Sequence, residues 1–205
     1  MIAIIDYGIG NIGSIQNMLK KVNAKEIVLA TKTEDIKNAD KYILPGVGAF
    51  DSGMNMLNAS GMREELDRQV TECKKPILGI CLGMQMLGMS SEEGQEKGLG
   101  YIDFSCRKFE FSDNKLRVPH MGWDYVDIED NSPLCVDPIE NLKFYFVHSY
   151  YAVCRQKENV MFTCDYGFKF AAGVHSGNVY GVQFHPEKSH NFGRWLMRNF
   201  VEEVK

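Results

Sequence analysis

The sequence predicts an α/β fold: a single domain on a central, mostly parallel sheet, with helices on both faces and antiparallel additions in its second half. Three observations predict it. In the first half, short apolar runs alternate with stretches whose apolar residues recur every three or four positions. From about Phe104, strand-like runs follow one another with few helical stretches between them. No repeat, low-complexity tract or Pro/Gly/Ser-rich linker divides the chain, so residues 1–205 read as one domain.

The elements follow in order. Ile2 to Ile5 is a β-branched run closed by Asp6-Tyr7-Gly8-Ile9-Gly10-Asn11, and Ile12, Ile15, Leu19 and Val22 then keep helical spacing. Glu26 to Ala30 reads as a second strand and Asp35 to Ala39 as a short helix. Tyr42 to Leu44 is a third strand, stopped by Pro45-Gly46. Met54, Leu57, Met62, Leu66 and Val70 mark one or two helices, punctuated by Ser60-Gly61. Pro76 to Ile80 is a fourth buried strand, with a helix expected from Leu82 to Met89. Such alternation favours a parallel sheet with both faces covered. Later strands are expected at Asp124 to Ile128, Leu142 to Val147, Tyr151 to Cys154, Val160 to Thr163, Phe168 to Val174 and Val179 to Phe184. Ser176-Gly177-Asn178 would turn a hairpin between the last two, and a helix from about Ser189 to Glu203 closes the chain.

Composition narrows the function classes. Hydrophobic residues make up 44% and charged residues 24%, ordinary for a globular protein. The net charge of −4 gives no reason to expect nucleic acid or an anionic membrane as partner. No apolar run is long enough to cross a bilayer, and the N-terminus has no basic region of a signal peptide. None of the six cysteines is spaced as C-x-x-C, so the spacing indicates neither a metal site nor a redox pair, and no cofactor is called for. The expected compartment is a reducing cytoplasm, with most cysteines buried as small hydrophobes.

Cys81 has neighbours that set it apart. It sits in Gly79-Ile80-Cys81-Leu82-Gly83, where a buried strand meets a helix. Glycines two before and two after a nucleophile suit a tight strand–turn–helix elbow, in which other side chains clash. The helix start favours thiolate over thiol, and the Leu82 amide points where an oxyanion would form. The competing reading is a buried core cysteine beside helix-packing glycines. His185 follows an apolar strand in Phe184-His185-Pro186-Glu187. It would project over the same sheet edge, with Glu187 fixing one ring nitrogen and the other serving the thiol as base. A capping histidine beside a solvated glutamate is the alternative. His120, His148, His175 and His190 compete for the role, and His148 and His175 read as core residues.

Together these segments resemble class I, triad-type glutamine amidotransferases, over nearly the whole chain. The resemblance implies a flavodoxin-like fold and a triad of Cys81, His185 and Glu187. It also implies oxyanion donors near Val47 and Leu82, and glutamine contacts from Gln85, Gly48 and the backbone around Ser149 and Tyr150. Within the family, Asp6 to Asn11, Pro45-Gly46-Val47-Gly48-Ala49-Phe50, Pro119 to Trp123 and Tyr145 to Tyr150 resemble the branch of glutaminase subunits that serve imidazole glycerol phosphate synthesis. That branch implies a heterodimer with a (βα)₈-barrel cyclase. Ammonia from L-glutamine would pass through a tunnel to convert PRFAR into imidazole glycerol phosphate and AICAR. Asn11, Trp123 and Asp124 would face that partner. Asp124 departs from the asparagine expected after Trp123, which leaves open a paralogous subunit feeding ammonia to sugar modification for surface polysaccharide. A stand-alone cysteine hydrolase of the same fold shares the elbow and the histidine. The two glycines of Pro45-Gly46-Val47-Gly48 suit either a reorienting loop or a plain turn.

Overall fold

The structure, a computed structural model, describes residues 1–112 and 116–205. Its first half runs β1 (Ile2–Ile5), α1 (Ile12–Lys21), β2 (Ile27–Ala30), α2 (Thr33–Asn38), β3 (Lys41–Leu44), α3 (Phe50–Ala59), α4 (Arg63–Thr71), β4 (Ile77–Ile80) and α5 (Leu82–Met86). Its second half runs β5 (Ser90–Ser91), β6 (Phe104–Lys108), β7 (His120–Tyr125), β8 (Asp127–Ile128), β9 (Lys143–His148), β10 (Tyr150–Cys154), β11 (Val160–Asp165), β12 (Lys169–Ser176), β13 (Val179–Val182) and α6 (His190–Glu202).

The α/β class expected from the sequence is the one observed. Strands β2, β1, β3, β4 and β13 lie side by side and parallel. This is the flavodoxin-like order 2-1-3-4-5, with the fifth place taken by a strand from the far end of the chain. β12 runs antiparallel to β13 through the hairpin at Gly177, whose φ of +57° needs a residue tolerant of the left-handed region. β10 and β6 extend the antiparallel edge, and β7 pairs with β9 in a separate two-stranded ribbon.

Strand alternation divides the core between the two faces. Ile2 and Ile4 point to one side, where Ile15 and Leu19 of α1 meet Leu196 and Phe200 of α6. Ala3 and Ile5 point to the other, against Met54 and Leu57 of α3 and Leu66 and Val70 of α4. Each such large apolar side chain contributes about 1.5–3 kcal/mol by leaving water, so neither face can be left uncovered.

Three features depart from expectation. α5 ends at Met86 rather than Met89, because the residues after it bond elsewhere. The Leu87 and Gly88 carbonyls accept from Tyr101 and Gly100, and the Met89 amide donates to Phe104. The strand expected at Asp124 to Ile128 is two pieces. β7 pairs with β9 from His120 to Tyr125, whereas Asp127 and Ile128 join β11. The polar Ser90-Ser91 and the mixed run Phe104–Lys108 form a parallel pair that their residue types do not announce.

Candidate active site

The loops that follow β1, β3, β4 and β13 leave the sheet at its carboxyl edge, where open α/β sheets gather their ligand sites. The elbow after β4 is held by close backbone packing. A Cβ on Gly79 would lie 2.7 Å from Gly83 O, and one on Gly83 would lie 1.9 Å from Leu44 O. Only glycine lets α5 start this close to β3 and β4. Between them, Cys81 takes φ +56° and ψ −111°, a strained conformation for a residue with a side chain. The Cys81 amide donates to Val182 O at 2.8 Å, and its carbonyl accepts from Gln85 N as α5 begins. Leu82 is the first residue of that helix, so its N–H lacks an intrahelical acceptor.

His185 comes to the same cleft from the end of β13. Its amide donates to Tyr145 O at 2.9 Å and its carbonyl accepts from the Ser189 hydroxyl, which fixes the backbone. His185 Nδ1 and Glu187 Oε1 are 2.8 Å apart, and both side chains are only 2% exposed. The carboxylate only accepts, so Nδ1 carries the proton and Nε2 is left toward the cleft without a hydrogen-bond partner. Burial alone would depress this imidazole. Interaction with Cys81 and Glu187 outweighs burial and pushes it up to about 9. His185 is thus able to hold the proton that a thiol gives up.

Cys81, Leu82 and His185 line a cleft of about 480 Å³ together with Val47, Gly48, Gln85, Ser149 and Tyr150. Every nucleophile, base, oxyanion and substrate residue expected from the sequence lines this cleft, except Glu187, which lies behind the base. Gly48 has φ +93° with open space around it, so the loop after β3 needs its glycine for backbone shape and not for packing. Gln85 donates to Gln183 Oε1 at 3.0 Å and to Tyr150 O at 3.3 Å. Gln183 in turn donates to Cys81 Sγ at 3.7 Å. Reasoning from sequence missed three polar residues here: Gln183, Glu93 and His148. Glu93 brings a carboxylate to the cleft wall and accepts from the Phe50 amide at 2.8 Å. His148, read as a core residue, is buried and also lines the cleft. No motif surrounds Glu93, and Gln183, two residues before His185, meets Gln85 and Cys81 only through tertiary contact.

The family described as glutamine amidotransferase class-I matches residues 3–204. The chain belongs to the class-I glutamine amidotransferase family. Two relatives span their full length and this chain's. One, from Methanococcus maripaludis, is 51% identical over 204 residues, and the other, from Pseudomonas aeruginosa, is 52% identical over 204 residues. Both are named imidazole glycerol phosphate synthase subunit HisH 2. Among solved structures, the fold is similar to a chain of PurLQS from Thermotoga maritima, with TM-score 0.73 at 20% identity, covering 100% of this chain and 98% of that one.

In this amidotransferase the loop after β1 supports the loop after β3. The Tyr7 hydroxyl donates to Pro45 O at 2.6 Å, and a Cβ on Gly10 would meet Pro45 at 2.8 Å. The Asp-Tyr-Gly-Ile-Gly-Asn and Pro-Gly-Val-Gly segments are therefore one unit. Asn11 stands at the start of α1 and makes no side-chain cap there. Trp123 lies on the outward face of β7 with Met121 and Tyr125, 39%, 62% and 57% exposed respectively, and stacks on His190 at 5.5 Å. Asp124 turns the other way. Its carboxylate lies on the inward face of β7, 3.4 Å from His120 Nε2. All six cysteines are free, and Cys73 alone among them is exposed. No helix among the described residues is long and apolar enough to cross a membrane.

Proposed function

We propose that this chain is the glutaminase subunit of an imidazole glycerol phosphate synthase. It would hydrolyse L-glutamine to glutamate and ammonia and deliver the ammonia to a (βα)₈ cyclase partner. The observation that carries the chemistry is the meeting, in one cleft, of a thiol on a strained helix-start turn and an imidazole held by a buried carboxylate. The names of the two full-length relatives favour the pathway.

The mechanism follows from the geometry. Cys81 passes its proton to His185, and the thiolate attacks the side-chain amide carbon of glutamine. The Leu82 amide, with the Val47 amide once the loop turns it inward, stabilises the oxyanion. The imidazolium of His185 then protonates the departing nitrogen, and ammonia leaves a thioester on Cys81. His185, neutral again and oriented by Glu187, takes a proton from water, which cleaves the thioester to glutamate and restores the thiol. Glu93 suits the α-ammonium group of the substrate, and the backbone at Ser149 and Tyr150 suits its polar head. Ammonia leaves through a tunnel in the partner and is used where PRFAR becomes imidazole glycerol phosphate and AICAR.

A second acceptor route has one observation in its favour: both relatives above carry the number 2, as additional copies do. Such a copy is free to feed ammonia to a sugar-modifying partner. The deciding experiment measures glutamate release from glutamine by the chain alone, with a histidine-pathway cyclase plus PRFAR, and with a sugar-modifying amidotransferase partner. Stimulation by cyclase and PRFAR is expected. Stimulation by the sugar-modifying partner alone would reassign the acceptor, and no release with either would overturn the glutaminase reading.

A further inference from the structure

Three side chains outside the glutamine cleft converge behind its wall. His120 and Asp124 lie on the same inward face of β7, with Gly122 between them leaving the space open. Cys164 reaches them from β11. His120 Nε2, an Asp124 carboxylate oxygen and Cys164 Sγ all lie within 4.8 Å of one another. Among the described residues this is the one such group of three.

The hydrogen bonds behind His120 decide what its Nε2 offers. The Tyr150 carbonyl can only accept, so the 2.8 Å contact with His148 puts a proton on His148 Nδ1. With its proton on Nδ1, the His148 ring has Nε2 as its acceptor nitrogen. His120 Nδ1, 3.1 Å away, must then be the donor. With Nδ1 turned to His148, His120 Nε2 faces a carboxylate oxygen 3.4 Å off and the sulfur of Cys164. Three electron-pair donors of three kinds face one point, and the thiol proton of Cys164 is the only hydrogen among them.

We propose that His120, Asp124 and Cys164 bind a divalent cation of the Zn²⁺ class and so fasten the β7–β9 ribbon to the main sheet. On binding, the Cys164 thiol gives its proton to solvent and a metal–thiolate bond forms. A set of imidazole, carboxylate and thiolate suits Zn²⁺ or Co²⁺ and does not suit Mg²⁺ or Ca²⁺, which take oxygen. Ligand atoms around a tetrahedral zinc lie roughly 3.3–3.8 Å apart. The His120–Asp124 separation of 3.4 Å already meets this, and no two atoms of the group are more than 4.8 Å apart. The imidazole is pre-set: its ring is stacked between Tyr166 at 4.0 Å and Phe146 at 4.7 Å, and His148 supplies the outer hydrogen bond typical of metal-bound histidine. Asp124, with 32% of its side chain exposed, gives the ion a way in and leaves a fourth position to water. β7 belongs to the ribbon and β11 to the larger sheet, so the ion would bridge the two.

The test titrates the full chain with Co²⁺, in a Cys81→Ala background that removes the cleft thiol as a ligand. One equivalent is expected, with a thiolate-to-cobalt charge-transfer band that Zn²⁺ abolishes, and with a rise in Tm on adding Zn²⁺. Cys164→Ser should lose the band. Asp124→Asn, an isosteric change at a half-exposed position that leaves folding intact, should weaken Co²⁺ binding by about tenfold or more. Absence of the band, a band that survives Cys164→Ser, or unchanged affinity in Asp124→Asn would each overturn the proposal.

Discussion

Cys81 occupies a backbone conformation, φ +56° and ψ −111°, that costs about 1–3 kcal/mol for a residue with a Cβ. The surrounding packing of Gly79, Gly83 and Leu44 imposes it. Cys81→Gly relieves that strain and gives back part of the gain in chain entropy. It should therefore be more stable than Cys81→Ala by about 1–2 kcal/mol in urea unfolding, with glutaminase activity lost in both. Glu187 acts through His185. Glu187→Gln keeps the shape and removes the charge that fixes the tautomer, so kcat should fall by roughly 10²–10⁴-fold with little change in KM. The pH dependence of stability has a definite sign. Histidine titrates near 6.5 in an unfolded chain, and His185 is pushed up to about 9 in the fold. Its protonation adds stability that is fully present below about pH 6.5 and is lost as pH rises through about 9. The urea midpoint should fall over that window, and in Glu187→Gln the fall should begin at lower pH. These residues were legible in the sequence because their spacing answers a mechanical need, as in G-x-C-x-G and H-x-E. Glu93 was not, because nothing adjacent in sequence marks it, and Gln183, although two residues before His185, gives no sign in sequence of its contact with Cys81.

The contact between α5 and β3 shows how much of the site depends on element packing. A Cβ on Gly83 would lie 1.9 Å from the Leu44 carbonyl oxygen, which is backbone and cannot swing away. Gly83→Ala must push the helix off the strand. A loss of about 3 kcal/mol or more is expected, read as a lowered Tm and reduced soluble yield, together with loss of activity as Leu82 leaves the cleft. The parallel half of the fold was readable because its strands are short apolar runs set between helical spacings, with Pro45-Gly46 marking the end of β3. β5 and β7 were harder. Ser90-Ser91 is held by pairing with β6 and not by its own preference, and His120 to Trp123 carries no strand-like run of its own and is drawn into β7 by pairing with β9. α5 looked longer than it is because Leu87 and Met89 keep an apolar rhythm, while their backbone is drawn to Tyr101 and Phe104.

At the scale of the whole molecule, the cleft and an exposed apolar surface are linked through one ribbon. β7 carries Met121, Trp123 and Tyr125 outward and His120 and Asp124 inward, while β9 leads at His148 into the cleft wall. Exposed aromatic and apolar side chains in one row are characteristic of a protein interface, and a half-exposed tryptophan is a typical energetic centre. Trp123 stacks on His190, meets Tyr145 edge-on and belongs to neither core layer, so its removal opens no cavity there. Trp123→Ala should therefore leave the Tm and the basal glutaminase rate of the free chain nearly unchanged. It should weaken binding to the cyclase by about 2 kcal/mol, or roughly 30-fold in Kd, as measured by titration calorimetry. Partner-stimulated glutamate release would then be low at limiting cyclase and recover at saturating cyclase. If the stimulated rate stays low at saturation, Trp123 also transmits the activating signal. If affinity is unchanged, the partner docks elsewhere, and the apolar row on β7 needs another occupant.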